Sequence, residues 1–240
     1  MVGETGKATA TPHLTAAGED YLKEIFHLAA EGPVTTQALA DRLGVAAPSV
    51  TNMVKRLGEM RLVVHSPYQG IELTSTGQAV ATEIVRHHRL LELYLAEFLD
   101  VPWDEVHAEA ERLEHVISEE LESRISAKLG EPTHDPHGDP IPTRDGTVPW
   151  RAVRSLGELE AGGVGQVAQI TLQEQPVLQY LASLGVRPGV PIVVQDVAPF
   201  GGVVTVLVQQ DGTGVPQALG ETLARHILVT DLDPSPGSSE

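Results

Sequence analysis

The stretch TTQALADRLGVAAPSVTNMVKRLGEMRLVVHSPYQGIEL, residues 35–73, decides the fold. TTQALADRLGV reads as a short helix stopped at Gly44, since glycine accepts the left-handed backbone that ends helices. Pro48 then falls where the first turn of a helix tolerates a residue without an N–H, and SVTNMVKRLGEM continues that helix. LVVHS (62–66) has strand character, PYQG (67–70) is turn-forming, and IEL (71–73) completes a hairpin. Upstream, LTAAGEDYLKEIFHL (14–28) spaces Leu14, Ala17, Tyr21, Leu22, Ile25 and Leu28 as one helical face, broken at Glu31-Gly32-Pro33. Helix, helix, turn, helix and hairpin in this order predict a winged helix-turn-helix, whose second motif helix enters the major groove while the wing touches backbone. On that helix the DNA-facing residues are Pro48, Ser49, Thr51, Asn52, Lys55 and Arg56. Ser49, Thr51 and Asn52 offer hydrogen bonds, and Lys55 and Arg56 meet phosphate. Val45, Val50, Val54 and Leu57 are expected on the buried face.

A net charge of −17 runs against DNA binding until its distribution is considered. Residues 1–80 carry six Lys/Arg against eight acids, whereas residues 81–130 carry five against twelve. The acid is concentrated in the middle of the chain, where divalent cations would offset its self-repulsion. With no cysteine, disulfides and thiolate chemistry are excluded, and any metal must be held by nitrogen and oxygen. No signal-peptide pattern or membrane-length apolar run is present, so the expected compartment is the cytoplasm.

Two long helices follow the hairpin, from about Thr76 to Leu99 and from about Trp103 to Leu129. The second carries Val106, Ala110, Leu113, Ile117, Leu121, Ile125 and Leu129 as an apolar stripe. Long amphipathic helices after a small DNA-binding unit predict a homodimer interface. Residues 130–150 (GEPTHDPHGDPIPTRDGTVPW) read as a linker or extended tether. Beyond it GQVAQITL, VPIVVQDV, GVVTVLVQQ and HILVTDL are strands of a small β-barrel, with turns at Arg187-Pro188-Gly189 and Asp211-Gly212 and one short helix near VLQYLASLG. Gly162-Gly163-Val164-Gly165 lacks the strand and helix of a nucleotide loop and reads as a β turn.

His107, Glu111, Glu114 and His115 fall on one face of the second long helix, and His88 and Glu92 share a face of the first. Imidazole and carboxylate donors without sulfur suit Mn2+ or Fe2+, then Zn2+. His and Glu on an acidic helix also make an ordinary solvated face, so spacing alone leaves both readings open.

RHHRLLELYL (86–95) and DEVHAEAERLEHVISEELESRI (104–125) closely resemble the dimerisation region of the diphtheria toxin repressor, iron-dependent regulator and manganese transport regulator family. The resemblance extends through APSVTNMVKRL, LVV…IELTSTG and HDPHGDPIP, covering about residues 14–145, and the C-terminal β region is similar to the family's SH3-like domain. It implies a mainly α N-terminal part, a winged helix-turn-helix followed by a helical dimerisation domain, and then an SH3-like small β-barrel. The implied boundaries are 1–75 for DNA binding, 76–145 for dimerisation and metal binding, 146–233 for the SH3-like domain, and 234–240 for a disordered tail.

The implied function is a metal-dependent homodimeric regulator, not an enzyme, that binds operator DNA when loaded with Mn2+ or Fe2+ at two sites per protomer. One implied site uses Asp20, Glu111, Glu114 and His115, with the residue 111 carbonyl as a further donor. The other uses His88, Glu92 and His107, completed by Glu174 and Gln175. In the iron branch positions 20 and 111 are typically Met and Cys; carboxylates here are as in the manganese branch and favour Mn2+. The manganese branch usually has Glu one turn after the Asp, where this chain has Lys23, which argues against a closely bridged pair of ions. His87 matches no family ligand and is expected to be exposed, and His134 and His137 are expected to be structural. The competing functions are a regulator that senses a small organic ligand and, more remotely, a His/Glu metallohydrolase with Glu114 activating water.

Overall fold

A computed structural model of the chain describes residues 14–66, 70–200, 202–210 and 212–231. The expected disordered tail, the turn residues Pro67, Tyr68 and Gln69, and Asp211 lie outside them. The chain divides into two compact units, one of residues 1–85 with 144–146, the other of residues 86–143 with 147–240.

In the first unit, α1 (Ala16–Glu31), α2 (Thr36–Leu43) and α3 (Ala47–Glu59) precede a hairpin of β1 (Val63–Ser66) and β2 (Gly70–Leu73). The Thr35 hydroxyl accepts the Ala38 N–H at the start of α2, and Gly44 ends that helix in the left-handed region at φ 64°. Pro48 lies in the first turn of α3, as expected. Leu22, Ile25, Leu39, Val50, Val54, Leu57 and Ile71 close a single apolar core beneath the three helices. Val45, expected in that core, is 39% exposed, because it follows the Gly44 cap and precedes α3. The wing is fastened at Gly70, where φ is +92° and a Cβ would stand 2.5 Å from the Val34 carbonyl oxygen. Only glycine lets Ile71 N–H reach that oxygen at 2.9 Å.

Helix α4 (Ser75–Leu99) begins in the first unit and continues in the second. The second long helix of the sequence reading is two helices, α5 (Val106–Leu113) and α6 (Glu119–Lys128). The break has a local cause. Ser118 leaves helical geometry, its hydroxyl accepts the Leu121 N–H, and Glu119, Glu120 and Glu122 complement the new N-terminus. The apolar stripe is accordingly split: Ala110 and Ile125 are buried with Leu90, Leu91 and Ile141, whereas Leu113 and Leu121 are exposed.

Residues 130–143 are no free tether. Ile141 is in the core, its N–H donating to Thr133 O, and Arg86 reaches Glu122 at 2.7 Å, the Pro142 carbonyl at 2.8 Å and Ser126 Oγ at 3.0 Å. A buried guanidinium needs such partners for every face it turns inward. The C-terminal part is a six-stranded antiparallel sheet in the order β3-β8-β4-β5-β6-β7. Its strands are β3 (Arg154–Ser155), β4 (Val164–Ile170), β5 (Pro191–Val197), β6 (Val203–Gln210), β7 (Thr213–Gly220) and β8 (Ile227–Asp231), with α7 (Gln175–Ser183) and α8 (Glu221–Arg225) beside them. β3 and β7 are additional to the four strands read from the sequence.

Candidate metal centre

Three side chains converge where α4 meets α5. His88 Nε2 lies 2.9 Å from Glu92 Oε1 and 3.0 Å from His107 Nδ1, and His107 Nδ1 lies 3.1 Å from the same Glu92 oxygen. Helical spacing of four places His88 and Glu92 on one face, and the start of α5 brings His107 across to them. Protons satisfy such a triangle of nitrogen and oxygen only in part. Bonds of about 2.0–2.2 Å from one cation to neighbouring ligands would give edges of about 3 Å, so the spacing fits a divalent ion.

The two faces of the His88 and Glu92 side chains serve different neighbours. His88 Nδ1–H donates to Glu114 Oε2, while Glu92 Oε2 faces His137 Nδ1 at 3.8 Å. Glu114 is buried, and its other oxygen lies 3.4 Å from His115 Nε2. Glu111, Glu114 and His115 each bring one ligand atom within 4.8 Å of the others. Asp20 belongs to the first unit, half-buried on α1.

A cluster that the sequence reading had not assigned to metal consists of Glu92, Asp135 and His137, all buried, with one ligand atom each inside the same 4.8 Å limit. Asp135 Oδ1 accepts the N–H groups of His137 and Asp139 and so shapes the turn. His137 Nε2–H donates to the Trp103 carbonyl at 2.8 Å, and its Nδ1 is buried without a hydrogen bond. Burial, then the charges of Asp139 and Glu92, push the Asp135 carboxyl well above the usual carboxylate range. Two buried carboxylates beside an open imidazole nitrogen fit a cation with hard donors. Asp135 and His137, two residues apart beside Pro136 and Gly138, were the available sequence signal; a Pro-Gly-Asp-rich setting disguised them as linker.

Burial works against protonation of His88, yet the Glu92 charge and the hydrogen bonds to Glu114 and Glu92 outweigh it and hold His88 at about 10. Glu92 is held well below its usual range: burial opposes this, but the His88 charge, the hydrogen bonds from His107 and His88, and the nearby His137 imidazole prevail. His87, expected to be exposed, is buried and faces Glu119 at 3.4 Å. Glu174 and Gln175 are exposed and, with His107, line a cleft of about 750 Å3; among the described residues Glu174 joins no ligand cluster. Pro48, Ser49, Thr51, Asn52, Lys55 and Arg56 are all exposed on α3.

A family profile described as iron dependent repressor, N-terminal DNA binding domain, matches residues 13–71. The metal binding and dimerisation domain of the same repressors matches residues 74–143, and a FeoA domain matches 154–231. The iron-dependent repressor IdeR of Mycobacterium tuberculosis is 33% identical over 219 residues, covering 85% of this chain and 94% of that protein. The chain belongs to the iron-dependent repressor family. The diphtheria toxin repressor of Corynebacterium efficiens is 34% identical over 72% of the chain and 80% of its own length. A solved manganese-dependent transcriptional repressor in complex with manganese is 40% identical, covers 90% of this chain and 100% of its own, and superposes with a TM-score of 0.81. Members of this iron-dependent repressor family are metal-dependent transcriptional repressors, and this chain carries their DNA-binding, dimerisation and SH3-like FeoA domains in order. No helix among the described residues is long and apolar enough to cross a membrane.

Proposed function

We propose that this protein is a homodimeric regulator, without enzymatic activity, that binds operator DNA when loaded with Mn2+, with Fe2+ as the second candidate. The observation that carries this reading is the His88–Glu92–His107 triangle, whose sides are 2.9, 3.0 and 3.1 Å and whose donors are all nitrogen or oxygen. Such donors favour Mn2+ over softer ions, and a solved repressor 40% identical to this chain is a complex with manganese.

In this reading each protomer holds two ions. One is held by His88, Glu92 and His107, with Asp135 and His137 ready to share Glu92, and Glu174 and Gln175 at the rim. The other is held by Glu111, Glu114 and His115, to which Asp20 is assigned on the family resemblance. A bound ion supplies positive charge that removes carboxylate repulsion. It also favours the DNA-competent state if that state binds it more tightly. Two recognition helices held about 34 Å apart would then reach successive major grooves.

The test titrates Mn2+, anaerobic Fe2+ and Zn2+ against binding of a genomic DNA-fragment pool, with a chelator control. Mn2+ is expected to switch on specific binding at the lowest concentration, and binding indifferent to metal and chelator would remove the sensing mechanism. Asp20→Ala and Glu111→Ala are each expected to abolish metal stimulation; stimulation retained in both would remove the second site. Lys55→Ala with Arg56→Ala is expected to weaken binding to all sequences alike. The same pair should lower the slope of log affinity against log salt by about 2 per protomer, measured by fluorescence anisotropy.

A further inference from the structure

Trp103 precedes α5, far in sequence from the β sheet. It nevertheless joins the sheet's apolar core, the cluster that includes Leu156, Leu178, Leu181 and Val186, and it is the one described member of that core from outside residues 154–231. The guanidinium of Arg187, from the turn after α7, lies over the ring 4.7 Å from its centroid. The same tryptophan handles His137. Its carbonyl accepts the Nε2–H, and its indole stacks on the imidazole with centroids 5.6 Å apart and planes 29° from parallel.

With Nε2 committed to a carbonyl, Nδ1 is the nitrogen left for a ligand role, and a hydrogen bond at one ring nitrogen is what fixes which one binds metal. The turn carrying His137 is also seated on the sheet. Ile170 N–H donates to the His137 carbonyl at 2.9 Å, and Asp139 accepts from Gln169 and Gln173. At Gly138, where φ is +88°, a Cβ would stand 2.0 Å from the Ala168 carbonyl oxygen.

We propose that Trp103 is a positioning residue that fixes His137 with Nδ1 toward Glu92 and Asp135, so that ion loading of this cluster is tied to packing of the FeoA sheet. The proposal rests on the reading that Glu92, Asp135 and His137 take a divalent cation. It predicts that damage to the Trp103 ring, which stacks on the His137 imidazole, reaches the cluster through His137.

The test uses full-length protein labelled with 15N-histidine and titrated with Zn2+ as a diamagnetic probe. The His137 Nδ1 resonance is expected to move on loading while the Nε2–H persists. Trp103→Leu is expected to weaken Zn2+ binding at His137 by about tenfold or more, in the range seen when outer partners of metal ligands are removed. Trp103→Phe, which keeps an aromatic face, is expected to restore most of it, and binding followed at His115 should stay within about twofold in both. Where Trp103→Leu does not fold, the surface change Arg187→Gln decides instead and is expected to weaken His137 loading severalfold.

Loading through Nε2, or unchanged affinity at His137 in the folded variants, overturns the role of Trp103 and leaves the metal reading standing. A His137 signal that ignores Zn2+ while His115 responds overturns the metal reading of this cluster, and the proposal with it.

Discussion

Replacing Glu92 with glutamine is expected to cut Mn2+ affinity by about 100-fold or more and to abolish metal-stimulated operator binding. Loss of an outer partner alone costs about 10–100-fold, and Glu92 is a candidate ligand in its own right. Its two oxygens serve two clusters: Oε1 faces His88 and His107, and Oε2 faces His137. No other side chain is shared in this way between the groups that the described residues form. The amide keeps the volume and the helix but removes the buried charge that holds His88 protonated. Breaking a buried ion pair from one side costs about 3–5 kcal/mol, so the metal-free variant should also melt lower. Calorimetric Mn2+ titration and a melt in chelator measure the two effects separately. Unchanged affinity with a lowered melting point would reduce Glu92 to a structural residue.

The legibility of this chain in its sequence divides along physical lines. Signals that act within one turn of backbone were readable: the Gly44 stop, Pro48 in the first turn of α3, and the i, i+4 pairing of His88 with Glu92. The α5–α6 break was also local, since Ser118 followed by Glu119 and Glu120 is a strong N-terminus, but the apolar stripe running through it masked the signal. β7, TGVPQALG, offers neither alternation nor β-branched density, and it is a strand because β6 pairs with it over its whole length. His137 required knowledge of what lies opposite. Only the fold brings Trp103 O to one ring nitrogen and Glu92 to the other, across 34 and 45 residues of chain. Composition pointed to a tether at 130–150 because Pro, Gly and Asp serve mobile linkers and tightly seated turns alike.

Metal-free and metal-loaded protein are expected to respond to pH in opposite directions. Burial disfavours the imidazolium of His137, but Glu92 facing its Nδ1, the Asp135 charge and the bond to the Trp103 carbonyl hold it at about 9, and His88 is held at about 10. Both values stand above the ordinary 6.5, so folding strengthens proton binding at both rings. Their contribution to stability is therefore complete below pH 6.5 and is lost as pH rises through about 9 and about 10. The raised Asp135 carboxyl acts in the same direction. A cation bound through these atoms must displace their protons, and each one displaced makes affinity rise about tenfold per pH unit. With two imidazoles involved, Mn2+ affinity is expected to increase by roughly 100-fold between pH 7 and pH 8. Melting in chelator should fall from pH 7 to pH 8.5, while melting in excess Mn2+ should hold or rise, because stabilisation by a ligand grows with its affinity. Calorimetry in two buffers of different ionisation heat counts the released protons directly. Parallel pH slopes with and without Mn2+, and no proton release, would show that the ion is bound elsewhere than at His88 and His137.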